Sequence, residues 1–267
     1  MRFIVLPAHN PGPYTGAGTN TYFLPGRVPT LIDAGAGEPR HVENVASAAS
    51  EAGAGELAQV LVTHGHVDHA GGAPALAARW PRARFAKFPD AEYAARYPAP
   101  WTPVHDDELI EAGDAQLLAL RTPGHARDHL CFFEPRSGLL FAGDLVVNGG
   151  TVLIPASHGG SVAQYLDSLR RVLELQPRRI LPGHGGVIEQ PAALLRGYIA
   201  HRLARERQIV DLLKEQPQTV AAIVGRIYPN LAEGVRGAAA ESVLAHLHKL
   251  RDEGEVAFEA GAWWMVK

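Results

Sequence analysis

Apolar positions along the chain follow two different periods. Over the first two thirds, short apolar runs of strand length alternate with Gly- and Pro-rich turns, so residues 3–6, 21–24, 30–32, 59–63 and 84–88 are predicted as strands. The same pattern returns at 108–110, 116–121, 130–133, 139–142 and 179–181. Helical spacing interrupts it at the alanine-rich segment 38–52, closed by Gly53, at 71–80 and at 161–175. In the last of these, Val162, Leu166, Leu169, Val172 and Leu173 form one apolar stripe, with Ser161 placed to cap the helix and Pro177 to stop it. Many short strands and intervening helices, without a sustained strand–helix–strand rhythm, predict an α/β fold with sheets inside and helices outside.

Near residue 195 the helical period takes over. Residues 194–215, 219–228 and 239–250 read as three helices, the last with Val243, Leu247 and Leu250 on one face. Two strand-like runs, 255–258 and 263–266, follow around Gly261. Three helices and a hairpin predict a small winged-helix-like domain, so the chain divides into a larger unit, 1–194, and an appendage, 195–267. Trp263 and Trp264 are adjacent on a strand and face opposite sides, so only one can pack inward against Val243 and Leu247.

Composition narrows the class. A hydrophobic content of 46% with 20% charged residues belongs to a globular protein, not to a disordered or fibrous chain. The single cysteine, Cys131, excludes an internal disulfide and any metal site built from several thiolates. The first residues form a short apolar run broken by Pro7, unlike a signal peptide, and no apolar stretch is long enough to span a membrane. A net charge of −3 offers no global attraction to nucleic acid or to anionic lipid. The expectation is a soluble, cytoplasmic protein; a homo-oligomer is compatible with the sequence.

The thirteen histidines are unevenly placed, and they carry the chemistry. In Thr63-His64-Gly65-His66-Val67-Asp68-His69, four metal-capable side chains fall on a loop at the C-terminal end of a predicted buried strand. Imidazole nitrogen and carboxylate oxygen both donate lone pairs at neutral pH, and Gly65 is expected to provide the tight turn that lets alternate residues converge. His125 after Thr122-Pro123-Gly124, Asp144 after Phe141-Ala142-Gly143, and His184 within Leu181-Pro182-Gly183-His184-Gly185 repeat one theme: a strand end, a glycine, a ligand-type residue. Seven such residues suffice for two four- or five-coordinate ions sharing a water and one carboxylate.

The chain resembles the metallo-β-lactamase superfamily, whose signature is similar to His64-Gly65-His66-Val67-Asp68-His69, with His125, Asp144 and His184 matching its later ligand motifs in order. The resemblance covers roughly residues 1–190 and implies an αββα sandwich with the metals at one edge of two central sheets. It further implies that His64, His66 and His125 hold one ion, Asp68, His69 and His184 the other, and that Asp144 bridges. Within that superfamily, Asn10-Pro11-Gly12-Pro13, Gly18-Thr19-Asn20-Thr21-Tyr22, Leu31-Ile32-Asp33-Ala34-Gly35, Asp128-His129 and the tail resemble the beta-lactamase-like protein 2 group. That group includes an endoribonuclease specific for single strands, and similar sequences include thioesterases that release polyketides from carrier proteins.

The implied activity is that of a dinuclear hydrolase with two zinc ions per chain, iron or manganese being the other divalent candidates, and a metal-bound hydroxide as nucleophile. Asp68 is the candidate for orienting that nucleophile and moving its proton, and His129 the candidate for stabilising developing charge. Asn20 and His158 are candidate substrate contacts. The same chemistry cleaves thioesters, esters, lactones, amides and phosphodiesters. Residues 201–267 carry nine basic and nine acidic side chains, so no net positive charge marks the tail as a nucleic-acid reader. A small-molecule or carrier-bound acyl substrate is therefore expected first, with the tail as a lid. Single-stranded RNA, read by Arg202, Arg205 and Arg207, is the alternative, and β-lactam cleavage a side activity. A glutamate would stand at His66 in a redox diiron enzyme, and a silent binding module would have lost ligands that this chain keeps.

Overall fold

The computed structural model of the chain describes residues 1–266. Strands β1 (Ile4–Pro7), β2 (Asn20–Leu24), β3 (Thr30–Ile32), β4 (Gln59–Leu61), β5 (Arg84–Lys87) and β6 (Trp101–Pro103) form one six-stranded sheet in sequential order. The first three are antiparallel and the rest parallel. A second sheet takes the order β11 (Arg179–Pro182), β10 (Leu139–Gly143), β9 (Leu130–Glu134), β8 (Ala115–Arg121), β7 (Leu109–Ala112), antiparallel except for β10 with β11.

The two-residue period of the strands sorts their side chains into layers. Tyr22, Leu24, Leu117, Ala119, Leu130, Phe132 and Phe141 meet between the sheets. Their neighbours turn outward: Phe23, Leu31 and Val60 pack beneath α1 (Pro39–Glu51) and α3 (Ala73–Arg79), while Cys131, Leu140 and Ile180 pack beneath α5 (Val162–Glu174) and the start of α6 (Pro191–Glu215). This is the αββα sandwich expected from the sequence, with Cys131 as a fully buried core residue.

Three local departures have physical reasons. The helix expected over 71–80 is α3, and an unexpected helical turn, α2 (Val67–Ala70), precedes it in the ligand-bearing loop, with Gly71 and Gly72 separating the two. Strand β6 and the short α4 (Ala91–Arg96) were not expected. β6 sits at the sheet edge, where prolines are tolerated, and the Asp90 side chain caps α4 by accepting from Tyr93 N. Helix α8 (Glu233–Asp252) begins ahead of the expected residue 239, its first turns masked in the sequence by Gly234 and Gly237.

The tail consists of the distal half of α6, α7 (Val220–Ile227), α8 and the hairpin β12 (Val256–Glu259)–β13 (Ala262–Met265). Trp263 is buried with Val243 and Leu247, and Trp264 stays half-buried, as the strand alternation requires. Helix α6 serves both units: Leu195 and Tyr198 join the core of the second sheet, Ile209 and Leu212 the core of the tail. A division between residues 194 and 195 thus falls inside one continuous helix. No helix among the described residues is long and apolar enough to cross a membrane.

Candidate metal centre

The seven expected ligands converge from the ends of different strands. The β4 ladder stops at Leu61, and two residues later the Thr63 backbone N–H donates to the Asp33 carboxylate instead of to a neighbouring strand. That exchange turns the chain out of the sheet and delivers residues 64–69 to the edge. Gly65 fits there for a different reason from the turn expected of it: a Cβ would collide with the ring of Tyr93, and its φ is not positive. Gly183 answers to a similar constraint, since a Cβ there would lie 2.6 Å from Asp144 Oδ1 and 2.7 Å from His69 Cε1.

Three imidazole nitrogens form the first cluster. His66 Nδ1 lies 3.0 Å from His64 Nε2 and 2.9 Å from His125 Nε2. Protons on the far ring positions are already committed. His125 Nδ1 donates to the Leu153 carbonyl at 2.7 Å, and His64 Nδ1 lies 3.1 Å from Thr63 Oγ1, whose own hydroxyl donates to Asp33. The lone pairs of His64 and His125 therefore point at the same small volume as His66. Burial, and after it the neighbouring His125, push the His66 imidazole down to about 3, and burial likewise holds His64 well below the usual range. His64 and His66 are thereby kept as neutral donors.

The second cluster is charged. His69 Nε2 lies 3.3 Å from both Asp68 Oδ2 and Asp144 Oδ1, and His184 Nε2 lies 3.2 Å and 3.3 Å from the same two oxygens. Asp144 turns its other oxygen, Oδ2, toward His125 Nε2 at 3.5 Å, so its carboxylate faces both clusters. Burial alone would lower His69 and His184, but the carboxylates prevail: Asp68, Asp144 and Asp33 hold His69 well above the usual range, and Asp144 with Asp68 raise His184 to about 9. Burial opposes ionisation of Asp68 and Asp144, yet His69 and His184 hold both well below the usual carboxylate range.

These residues fit a pair of divalent ions. His69 Nε2 and Asp144 Oδ1 are both buried, and neither makes a hydrogen bond of acceptable geometry despite their proximity. Ligand atoms of His64, His66 and His125, of His64, His69 and Asp144, and of Asp68, His69 and His184 each fall within 4.8 Å of one another. Donor sets of imidazole and carboxylate at such spacing suit first-row divalent metals.

Behind the ligands stand residues whose roles the sequence did not reveal. Asp33, at a φ of 64° that a non-glycine residue rarely adopts, accepts from Thr63 N, Thr63 Oγ1 and His69 Nδ1, the last at 2.7 Å. Thr19 Oγ1 donates to Asp68 Oδ2 at 2.9 Å and is itself fixed by both ends of the Asn10 amide. Beneath the loop, Lys87 Nζ and Asp128 Oδ2 make a buried ion pair at 3.1 Å. The available signals were an Asp directly after an apolar strand run, and polar residues inside a Gly-rich loop.

Among the remaining candidates the placements differ. Asp68 and His158 line the cavity over the ligands, a space of about 910 Å³. His129 does not reach it. That side chain is fully buried, with Nδ1 2.8 Å from Thr122 Oγ1 and Nε2 accepting the Asp144 backbone N–H at 3.1 Å, so it holds Asp144 in place instead of meeting developing charge. Asn20 also turns away from the cavity: its amide donates to the Pro182 and Gly185 carbonyls and fastens the His184 loop.

The tail is not a lid, since among the described residues none beyond Gly185 lines this cavity. Nor do its arginines form a stripe. Arg202 is buried, Arg205 lies over the Tyr228 ring, and of the three only Arg207 is exposed.

A profile of the metallo-beta-lactamase superfamily matches residues 14–184, and one of the beta-lactamase associated winged helix domain matches residues 219–263. A beta-lactamase-like protein 2 homolog of Caenorhabditis elegans is 32% identical over 96% of this chain and 87% of its own. An atrochrysone carboxyl ACP thioesterase of Aspergillus chevalieri is 31% identical over 97% of this chain and 83% of its own. A metallo-beta-lactamase family protein from Thermus thermophilus superposes with a TM-score of 0.82 at 25% identity, covering 99% of this chain and 98% of that one. Ligand clusters, sandwich and winged-helix-like tail make the protein a metal-dependent hydrolytic enzyme, and the chain belongs to the metallo-beta-lactamase superfamily.

Proposed function

We propose that the protein is a dinuclear zinc hydrolase acting on a carbonyl substrate, a thioester, ester or lactone, whose acyl group is carried on a small molecule or a carrier protein. The observation that carries this reading is the chemistry of the cavity wall. Tyr14, Val67, Tyr93, Tyr97, Val147 and Leu153 present apolar and aromatic surface, and among the described residues Arg96 is the one arginine or lysine in the lining. Such a wall desolvates an acyl chain and offers a polyanion little to hold. The thioesterase of Aspergillus chevalieri, similar along nearly the whole chain, supports the same class.

Bound zinc would supply Lewis-acid polarisation and a water activated near neutral pH. His64, His66 and His125 would hold one ion, Asp68, His69 and His184 the other, with Asp144 between them. Asp68 lines the cavity and is steadied by Thr19, so we assign it to orient the attacking water and carry a proton toward the leaving group. His158, exposed on the rim, is the assigned substrate contact. We assign this chemistry to residues 1–194 and a supporting role to 195–267.

The test is to purify the protein with zinc and offer acyl thioesters, lactones, a chromogenic β-lactam and fluorescent single-stranded RNA. Thioester or lactone turnover well above the other two, abolished by chelation, with about two metal equivalents per chain, is expected. Salt-sensitive RNA cleavage without acyl turnover would transfer the site to a phosphodiester substrate.

A further inference from the structure

Residues 147–155 have neither helix nor strand, yet they form a whole wall of the catalytic cavity through Val147, Asn148, Thr151, Val152, Leu153 and Pro155. The same segment touches the metal centre, because the Leu153 carbonyl fixes the His125 ring through Nδ1 at 2.7 Å. An irregular segment with two such duties needs an external frame. Helices α6 and α8 supply it. Tyr198 Oη bonds to Val147 and Gly150, the Arg202 guanidinium donates to the Val152 carbonyl, and Glu241 accepts from both Ser157 N and Ser157 Oγ at 2.8 and 2.9 Å.

Arg202 is the unusual member. Its side chain is 3% exposed and lies over the Tyr165 ring at 5.3 Å, and among the described residues no carboxylate pairs with it. Burying a guanidinium is costly, and here only a ring face, the Val152 carbonyl and the more distant Thr151 hydroxyl at 3.4 Å offset that cost. The group it grips belongs to the peptide next to Leu153. We propose that Arg202 is a positioning residue for the metal centre: it fixes the Val152–Leu153 backbone so that the Leu153 carbonyl holds His125 in its ligating orientation. Helix α6, which continues into the winged-helix-like tail, thereby sets metal affinity without touching a ligand. This rests on the reading of His125 as a metal ligand.

The test is zinc affinity of the full chain, measured by competition with a chromophoric chelator, for Arg202→Met, Arg202→Lys, Glu241→Gln and His125→Ala. His125→Ala identifies the zinc equivalent that depends on that side chain. Arg202→Met should weaken this same equivalent by ~10–100-fold, the range for removing support behind a metal-bound histidine. Arg202→Lys, with one donor in place of a fork, should fall between parent and Met, by ~3–10-fold. Glu241→Gln should leave zinc affinity unchanged and raise KM only, since it anchors the far end of the segment. A folded Arg202 variant that binds zinc as the parent does overturns the proposal; if Arg202→Met fails to fold, Arg202→Lys decides. Two full equivalents retained in His125→Ala would instead overturn the ligand reading, so the two failures are separable.

Discussion

The two sides of the catalytic cavity are built by different physics. On one side stand the ligands, on loops and the short α2 that follow strand ends, and three of them are held by neighbours in the same layer: His69 Nδ1 by Asp33, Asp68 by Thr19, and the Asp144 backbone N–H by His129. On the other side is the irregular wall 147–155, fastened from behind by side chains of α6 and α8. The first side inherits its rigidity from two packed sheets. The second is only as rigid as the helices that hold it. Metal chemistry and substrate fit are thus supported separately, and among the described residues the wall bonds one ligand side chain directly, His125 through Leu153.

If the ligand side is one electrostatic unit, its largest failure comes from Asp144, whose two oxygens face the two clusters. Asp144→Ala should lower bound zinc to about one equivalent or less and abolish turnover together. Asp68→Ala should separate these effects, keeping the ion held by the three imidazoles while turnover falls ~10²-fold or more. Elemental analysis alongside kcat distinguishes the two. Full metal content with full activity in either variant would dismantle the division of roles.

An intermediate effect is expected one layer back. Asp33→Asn keeps the shape and tolerates the left-handed backbone, but it places an amide opposite donors that need an acceptor. Stability should drop by about 1–3 kcal/mol, and zinc bound through His69 should weaken by ~10–100-fold. Thermal melting and chelator titration measure both. A variant as stable and as tightly zinc-bound as the parent would mean that His69 needs no orientation.

The same contrast explains what could be read from the chain in advance. All seven candidate ligands were legible because their signal is local: four within residues 64–69, and three more after a strand and a glycine. The sheets were legible from short apolar runs bounded by turn residues, apart from β6, where Pro100 before it and Pro103 at its end disguised an edge strand. The supports were not. Arg202 sits among Arg205, Glu206 and Arg207 and looks like part of a solvated or RNA-facing run; only tertiary packing turns it inward. His129 and Asn20 are chemically suited to meet substrate, and nothing in their spacing reveals that Asp144 and the His184 loop claim them first.

The smallest expected effect tests whether the wall can move without disturbing the metal. Tyr198 lies one helical turn before Arg202 on α6, and its hydroxyl bonds the Val147 N–H and the carbonyls of Val147 and Gly150. Those contacts fasten the near end of the wall, residues that line the cavity but make no bond to His125. Tyr198→Phe keeps the ring, which is buried in the core of the second sheet, and removes only the hydroxyl. The loss is a few neutral hydrogen bonds in a partly wet setting, about 1 kcal/mol. Zinc affinity should therefore stay at the parent value while KM for the acyl substrate rises a few-fold and kcat changes little. If zinc affinity falls with Tyr198→Phe as it does with Arg202→Met, the wall moves as one rigid piece, and the separation of the two sides fails at this end.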